Sequence, residues 1–323
     1  MEKYKKQTLN HYNSQIIKGT YLWVIAMHHK NEEINTAWEQ GLNIIFSKVP
    51  KECLVDIIIC GSVLEKMDYD EGFSDIDIIV IIRDTCDVLR IDALLRNLMA
   101  PTYDITVYDE SSVIDGFLKG TPFFGSIILS GKSVLNSDLV RDLRSNGFKF
   151  TNYAIFDELS YLATVIGRVL VDVKKENIIA IANRAYHIAK YGLATALMIK
   201  YRELIVDLKD IVDKAEKLGY IEKVRELIRL RNKRKNIRDI HSAIRYLNET
   251  YGFLREVLSE YCDFIIHDMN DLISIMEKSV YTWGILDKEG IILVYMNKGR
   301  ETIRICNFKV QLKDLIIDFM KNR

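Results

Sequence analysis

The residues whose types and spacing invite chemistry lie between positions 56 and 82, DIIICGSVLEKMDYDEGFSDIDIIVII. Asp56 to Cys60 is apolar and β-branched and reads as a short buried strand that stops at Gly61-Ser62. A glycine followed by a small hydroxyl residue at a strand end permits a tight turn in which backbone N–H groups can face an anion. Thirteen residues after Ser62 comes Asp75, and two further on Asp77, at the opening of a second strand, IDIIVII. Side chains at i and i+2 of a strand share a face, so the two carboxylates point the same way. At about 4 Å and an effective dielectric near 20 they repel each other by on the order of 4 kcal/mol. A divalent cation removes that cost, and oxygen-only ligands suit Mg²⁺, which is commonly held by one or two carboxylates together with substrate phosphates.

The elements around this stretch must hold it in place. IDIIVII is too apolar on both faces to be an edge strand. The amphipathic stretch Asp87 to Ala100 reads as a helix that returns the chain to the sheet, and PTYDITVYDE then supplies an alternating strand with Asp104 near its start. Asp104 is placed to join Asp75 and Asp77; the competitor, Asp109, falls at the far end of the same strand. Upstream, Glu32 to Lys48 has helical spacing, with Ile34, Ala37, Trp38, Leu42, Ile45 and Phe46 as its buried stripe. Gly19 to Met27 is rich in strand formers. Beyond Asp109, Val113 to Leu118 suggests a short helix, and Gly131 to Leu135 a turn into a final strand. Gly125-x5-Gly131-Lys132-Ser133 is one residue too long for a P-loop.

The order of apolar strand, Gly61-Ser62, spacer, Ser74-Asp75-Ile76-Asp77 and apolar strand resembles the nucleotidyltransferase fold of the DNA polymerase β superfamily, especially its minimal archaeal and bacterial members. The resemblance spans residues 40 to about 135. It implies an NTP bound at the Gly-Ser turn, a metal pair held by three carboxylates, and transfer of an NMP to an acceptor. Gly61 and Ser62 match the phosphate turn, Asp75 and Asp77 match the metal carboxylates, and Asp104 fits the place of the third. Ser74 adjoins the pair. Lys66 stands where many minimal members carry glycine, and a lysine there can reach phosphate. The implied cofactor is Mg²⁺ or Mn²⁺, and the acceptor is a small molecule, RNA or protein.

With 323 residues, 49% of them hydrophobic, the chain can bury a sizeable core and is long enough for two domains. Lys and Arg total 45 against 45 Asp and Glu, so no global charge drives it to nucleic acid or an anionic membrane. Cys53, Cys60, Cys86, Cys262 and Cys306 show no C-x-x-C spacing and read as small core residues in a reducing cytoplasm. No segment reaches the ~20 apolar residues of a membrane span, and MEKYKKQTLN lacks the apolar core of a signal peptide.

The character changes near residue 150. From Asp157 to Ser279 there is no proline, and apolar spacing of three and four predicts a helical bundle. The predicted helices run Asp157 to Lys175, Asn177 to Leu204, a shorter pair between Leu208 and Leu230, Asn236 to Glu260, and Cys262 to Lys278. Residues 223 to 245 hold nine Lys or Arg against two acids. If one helix ran unbroken past Asn232 and Asn236, Arg231, Arg234, Arg238, His241 and Arg245 would form one stripe able to meet phosphates; a solvated helix face is the other reading. Arg234-x6-His241 also loosely resembles the R-x(4–6)-H motif of HEPN helical domains, which accompany minimal nucleotidyltransferases. It points to a helical-bundle partner rather than to catalysis. Tyr281 to Leu286 and Ile291 to Met296 read as a hairpin, Thr302 to Phe308 as a third strand, and Leu312 to Met320 as a closing helix.

The expected architecture is therefore α+β: a mixed-sheet nucleotidyltransferase domain (1–150), a helical bundle (151–280), and a small β segment with a helix (281–323). The expected activity is metal-dependent nucleotidyl transfer by a cytoplasmic protein, with a homodimer among the assemblies open to it. Two other classes fit the residues: a catalytically inactive nucleotide or RNA binder of the same fold, and an RNA-acting module that uses the basic helix.

Overall fold

The computed structural model describes residues 32–64, 76–100, 102–205, 207–276, 279, 281–296 and 299–321. The strand expected at Gly19 to Met27 lies outside the described residues, as do Lys66, Ser74 and Asp75. The chain is α+β and divides into two compact units. One comprises residues up to Asp115 together with Ile127–Gly147, and the other comprises Gly116–Ser126 together with the residues from Phe148 onward.

In the first unit, α1 (Glu32–Lys48) precedes β1 (Leu54–Cys60) and a 3-10 turn at Gly61–Leu64. β2 (Ile76–Ile82), α2 (Val88–Met99) and β3 (Tyr103–Asp109) follow. α3 (Glu110–Lys119) and α4 (Pro122–Ser130) contribute residues to both units, and β4 (Lys132–Ser133) and α5 (Asp138–Asn146) complete the first. The sheet has the order β3-β2-β1-β4; β2 and β3 are parallel and the other pairs antiparallel. β2 is interior, as its two-sided apolar sequence requires: Ile78, Ile79, Val80, Ile81 and Ile82 are all buried. Joining two parallel strands takes a crossover, and α2 supplies it. Asp87 caps that helix by accepting from Arg90 N, and Ile91, Leu95 and Met99 form its buried face. These side chains pack with Leu42 and Ile45 of α1 and with Ile78, Val80, Ile105 and Val107 of the sheet.

Asp56, which lies inside the apolar run of β1, is fully buried. Its carboxylate accepts from the hydroxyls of Ser133 and Ser137 at 2.7 Å each, and from the amides of Ile57, Leu135 and Ser137 at 2.8 to 3.1 Å. It thereby fixes β4 and the start of α5 to the first strand. This also accounts for Ser133: its hydroxyl belongs to a structural network and not to a phosphate loop.

The reading of all five cysteines as reduced core residues is corrected for one pair. Cys53 and Cys86 form a disulfide, their Cα atoms 5.9 Å apart across a separation of 33 residues. The antiparallel return of β1 and β2 brings the two flanking loops together. Cys60, Cys262 and Cys306 are free thiols.

In the second unit, α6 (Asn152–Lys174) and α7 (Ile178–Tyr201) are followed by α8 (Leu208–Lys217), α9 (Ile221–Arg234) and α10 (Ile240–Val257). The small-residue stripe Ala182, Ala185, Ala189 and Ala196 is buried, and α7 packs against both α6 and α10. The helix expected from Cys262 is shorter than the sequence suggested. Cys262–Phe264 is strand β5, and only Met269–Met276 is helical (α11). β6 (Tyr281–Leu286), β7 (Gly290–Met296), β8 (Arg300–Phe308) and α12 (Val310–Lys321) end the chain. The second sheet is antiparallel, in the order β5-β8-β7-β6. It packs directly on the bundle: a side chain at Gly284 of β6 would collide with the Ala163 carbonyl of α6. Among the described residues no helix is long and apolar enough to cross a membrane.

Candidate active site

The site is assembled where β1, β2 and β3 present their ends. β1 finishes at Cys60, whose register partner on β2 is Asp77. The next residue, Gly61, has φ +77° and opens the 3-10 turn. Only glycine enters this conformation at no steric cost. A second constraint acts on the same atom, because a Cβ on Gly61 would lie 2.9 Å from Asp77 Cγ and closer still to its Oδ2. The turn and the carboxylate therefore share one small space. Ser62 follows inside the turn.

Across the sheet, the parallel register pairs Asp77 with Asp104. Registered partners on neighbouring strands point to the same face, and such strands lie about 4.8 Å apart. Two ionised carboxylates at that spacing repel by about 3 kcal/mol at an effective dielectric near 20. Asp77 is half-buried and Asp104 is exposed. Asp109, the competing acid, pairs with Ile82 at the other end of the strand and accepts from the Ser111 hydroxyl and the Ser112 amide. The Cys60 thiol lies 3.8 Å from the Asp77 carbonyl oxygen. Burial, and then the charges of Asp77 and Asp104, push that thiol up, so it remains protonated at neutral pH.

The donor set is thus hard oxygen with no thiolate, which suits Mg²⁺ or Mn²⁺ better than zinc. Among the described residues no group of three or more His, Cys, Asp or Glu side chains is arranged to hold a metal. Asp75, which the sequence pattern pairs with Asp77, lies outside them, as do Ser74 and Lys66.

Sequence reasoning missed Arg96. Its Nε donates to Asp92 Oδ2 at 2.6 Å, its Nη2 donates to Thr106 Oγ1 at 3.1 Å, and its Nη1 lies 4.0 Å from Asp104 Oδ1. Asp92 in turn accepts from Val107 N on the edge strand β3. The i,i+4 spacing of Asp92 and Arg96 on an amphipathic helix was the available signal.

The basic segment belongs to the second unit, and the continuous stripe is corrected. α9 ends at Arg234 and α10 begins at Ile240, capped by Asp239 in a reciprocal pair with Ser242. Arg231 and Arg234 are on one helix, Arg238 is in the link, and His241 is in the first turn of the next helix. Arg234 is buried, its guanidinium 4.9 Å from the centre of the Tyr186 ring. Neighbouring charges are neutralised within the unit: Arg229 and Lys233 both pair with Glu249, and Lys223 with Glu256.

No family model and no curated protein matches the chain. Among solved structures, a nucleotidyltransferase-like protein from Exiguobacterium sibiricum is similar over 84% of this chain and 99% of that one, at 13% identity and a TM-score of 0.24. A likeness of that size carries no argument about the site.

Proposed function

We propose that the chain is a metal-dependent nucleotidyltransferase that moves an NMP from an NTP to an acceptor hydroxyl or phosphate. The observation that supports this reading is the register of Asp77 with Asp104 beside a turn at which Gly61 admits no side chain. Asp77 and Asp104, with Asp75 two residues before Asp77, are the residues that would hold Mg²⁺ or Mn²⁺, whose charge would stabilise the oxygens of an in-line displacement. The missing side chain at Gly61 makes room for the Asp77 carboxylate against the turn, so backbone N–H groups of the Gly61-Ser62 turn that face phosphate would adjoin the cation held by Asp77. The buried isoleucines of β2 fix the backbone that carries Asp77, so the carboxylate does not have to be ordered during the reaction.

The reading is tested by product analysis with four labelled NTPs, Mg²⁺ or Mn²⁺, and a panel of RNA, protein and small-molecule acceptors. Asp77→Asn and Asp75→Asn are expected to lower transfer by on the order of a thousandfold, about 4 kcal/mol of barrier, with unchanged circular dichroism. Near wild-type transfer by either variant overturns the metal assignment.

A second reading, a nucleotide binder that does not catalyse, is favoured by one observation: Arg96 already sets a positive charge 4.0 Å from Asp104. Such a protein would bind NTP without metal-dependent release of pyrophosphate.

A further inference from the structure

α2 buries Ile91, Leu95 and Met99 against the face of the sheet that carries Ile105 and Val107. Asp104 and Thr106 alternate with those residues and so belong to the opposite face, the face of Asp77. Arg96 nevertheless reaches Thr106 and approaches Asp104. Its side chain rounds the edge strand β3 to do so. It is anchored at two points: Nε on Asp92, which is itself held by Val107 N, and Nη2 on Thr106. A guanidinium fixed through a planar fork keeps one place where an untethered side chain would sweep many. That place puts Nη1 on the Asp104 side of the carboxylate pair.

We propose that Arg96 is a positioning residue that competes with the divalent cation for Asp104. It steadies the Asp104 carboxylate beside Asp77 and sets the cation concentration at which the pair loads. The inference rests on the metal reading of Asp77 and Asp104. Its physical basis is that a fixed positive charge offsets the repulsion between two adjacent carboxylates and repels an incoming cation for the same reason. Removing the charge removes that competitor for Asp104. Because Arg96 and Asp104 are both about half exposed, solvent moderates the effect.

The test uses the full chain, with Mn²⁺ alone as the probe, titrated and read from the electron paramagnetic resonance signal of the free ion. Arg96→Gln is expected to bind Mn²⁺ about threefold or more tighter than the wild type. Asp77→Asn and Asp104→Asn are expected to bind it more weakly. In the Asp104→Asn background, Arg96→Gln should lose most of its effect. An Arg96→Gln affinity equal to or weaker than wild type overturns the inference, and if Asp77→Asn still weakens Mn²⁺ binding, the metal reading survives alone. No Mn²⁺ binding by any form at millimolar concentration overturns both. If Arg96→Gln does not fold, the wild type decides the matter. The Arg96 Nε–H resonance should move on Mg²⁺ titration with the midpoint of metal binding, and a resonance unmoved at saturation overturns the inference.

Discussion

The Asp77 carboxylate occupies the space that a side chain on Gly61 would need: a Cβ there would lie 2.9 Å from Asp77 Cγ. The positive φ at Gly61 and this contact act together, so Gly61→Ala meets strain from both. It is expected to lower stability by about 1 to 3 kcal/mol and to displace Asp77. Denaturant unfolding together with a metal titration checks this. Unchanged stability with unchanged metal affinity would show that the turn and the carboxylate are independent.

Asp56 is a structural acid. Asp56→Ala would leave the partly buried Leu135 and Ser137 amides without their acceptor. The expected cost is about 3 kcal/mol or more, and Asp56→Asn, which keeps one acceptor oxygen, should cost less. Equal unfolding midpoints for wild type and Asp56→Ala would contradict the network.

Glu158 in α6 is buried, and burial, followed by the charge of Asp157, pushes its carboxyl up to about 8. The unfolded chain releases that proton near pH 4.3, whereas the folded chain keeps it until about pH 8. Between those values the folded state binds the extra proton, so stability falls as pH rises, by about 1.4 kcal/mol per pH unit. It is fully present below the unfolded pKa. Glu158→Gln should remove this slope. Parallel curves of stability against pH for the two proteins, over pH 5 to 8, would show that Glu158 ionises freely in the fold.

The Cys53–Cys86 bond closes a loop that contains β1, the Gly61 turn and β2. For a loop of that length the chain-entropy relation gives about 3.7 kcal/mol. Adding reductant, or replacing either cysteine with serine, should lower the unfolding midpoint of the first unit. A midpoint indifferent to reductant would mean the bond does not form in solution.

Much of the first unit was legible because its signals are local. β1 and β2 announce themselves by β-branched runs, α2 by its Asp87 cap and apolar spacing, and β3 by alternation. Asp104 could be placed because a crossover helix between two apolar strands implies neighbouring parallel strands, whose register then pairs it with Asp77. What stayed hidden depends on contacts between distant residues or on competition between signals. The partnership of Cys53 with Cys86 spans 33 residues. β5 is three residues long and owes its strand geometry to pairing with β8, which no local pattern announces. The break between α9 and α10 falls near the one expected between Leu230 and Asn236, and it rules out the basic stripe, which required a single unbroken helix; Asp239 and Ser242 mark where the second helix starts. Charge spacing says nothing about whether a helix is interrupted. α4 was missed because PFFGSIILS is apolar all round, which leaves no periodicity to read; Pro122 at its first position was the remaining clue.

The claim on which the mechanism depends is that Asp77 and Asp104 converge on one cation next to the Gly61 turn. The most direct measurement is a crystal structure of the protein grown with Mg²⁺ and a non-hydrolysable NTP analogue. The account predicts an ion with oxygens of both carboxylates at about 2.1 Å, and the phosphates at the turn. Bound nucleotide with those oxygens splayed apart and no ion between them would contradict it.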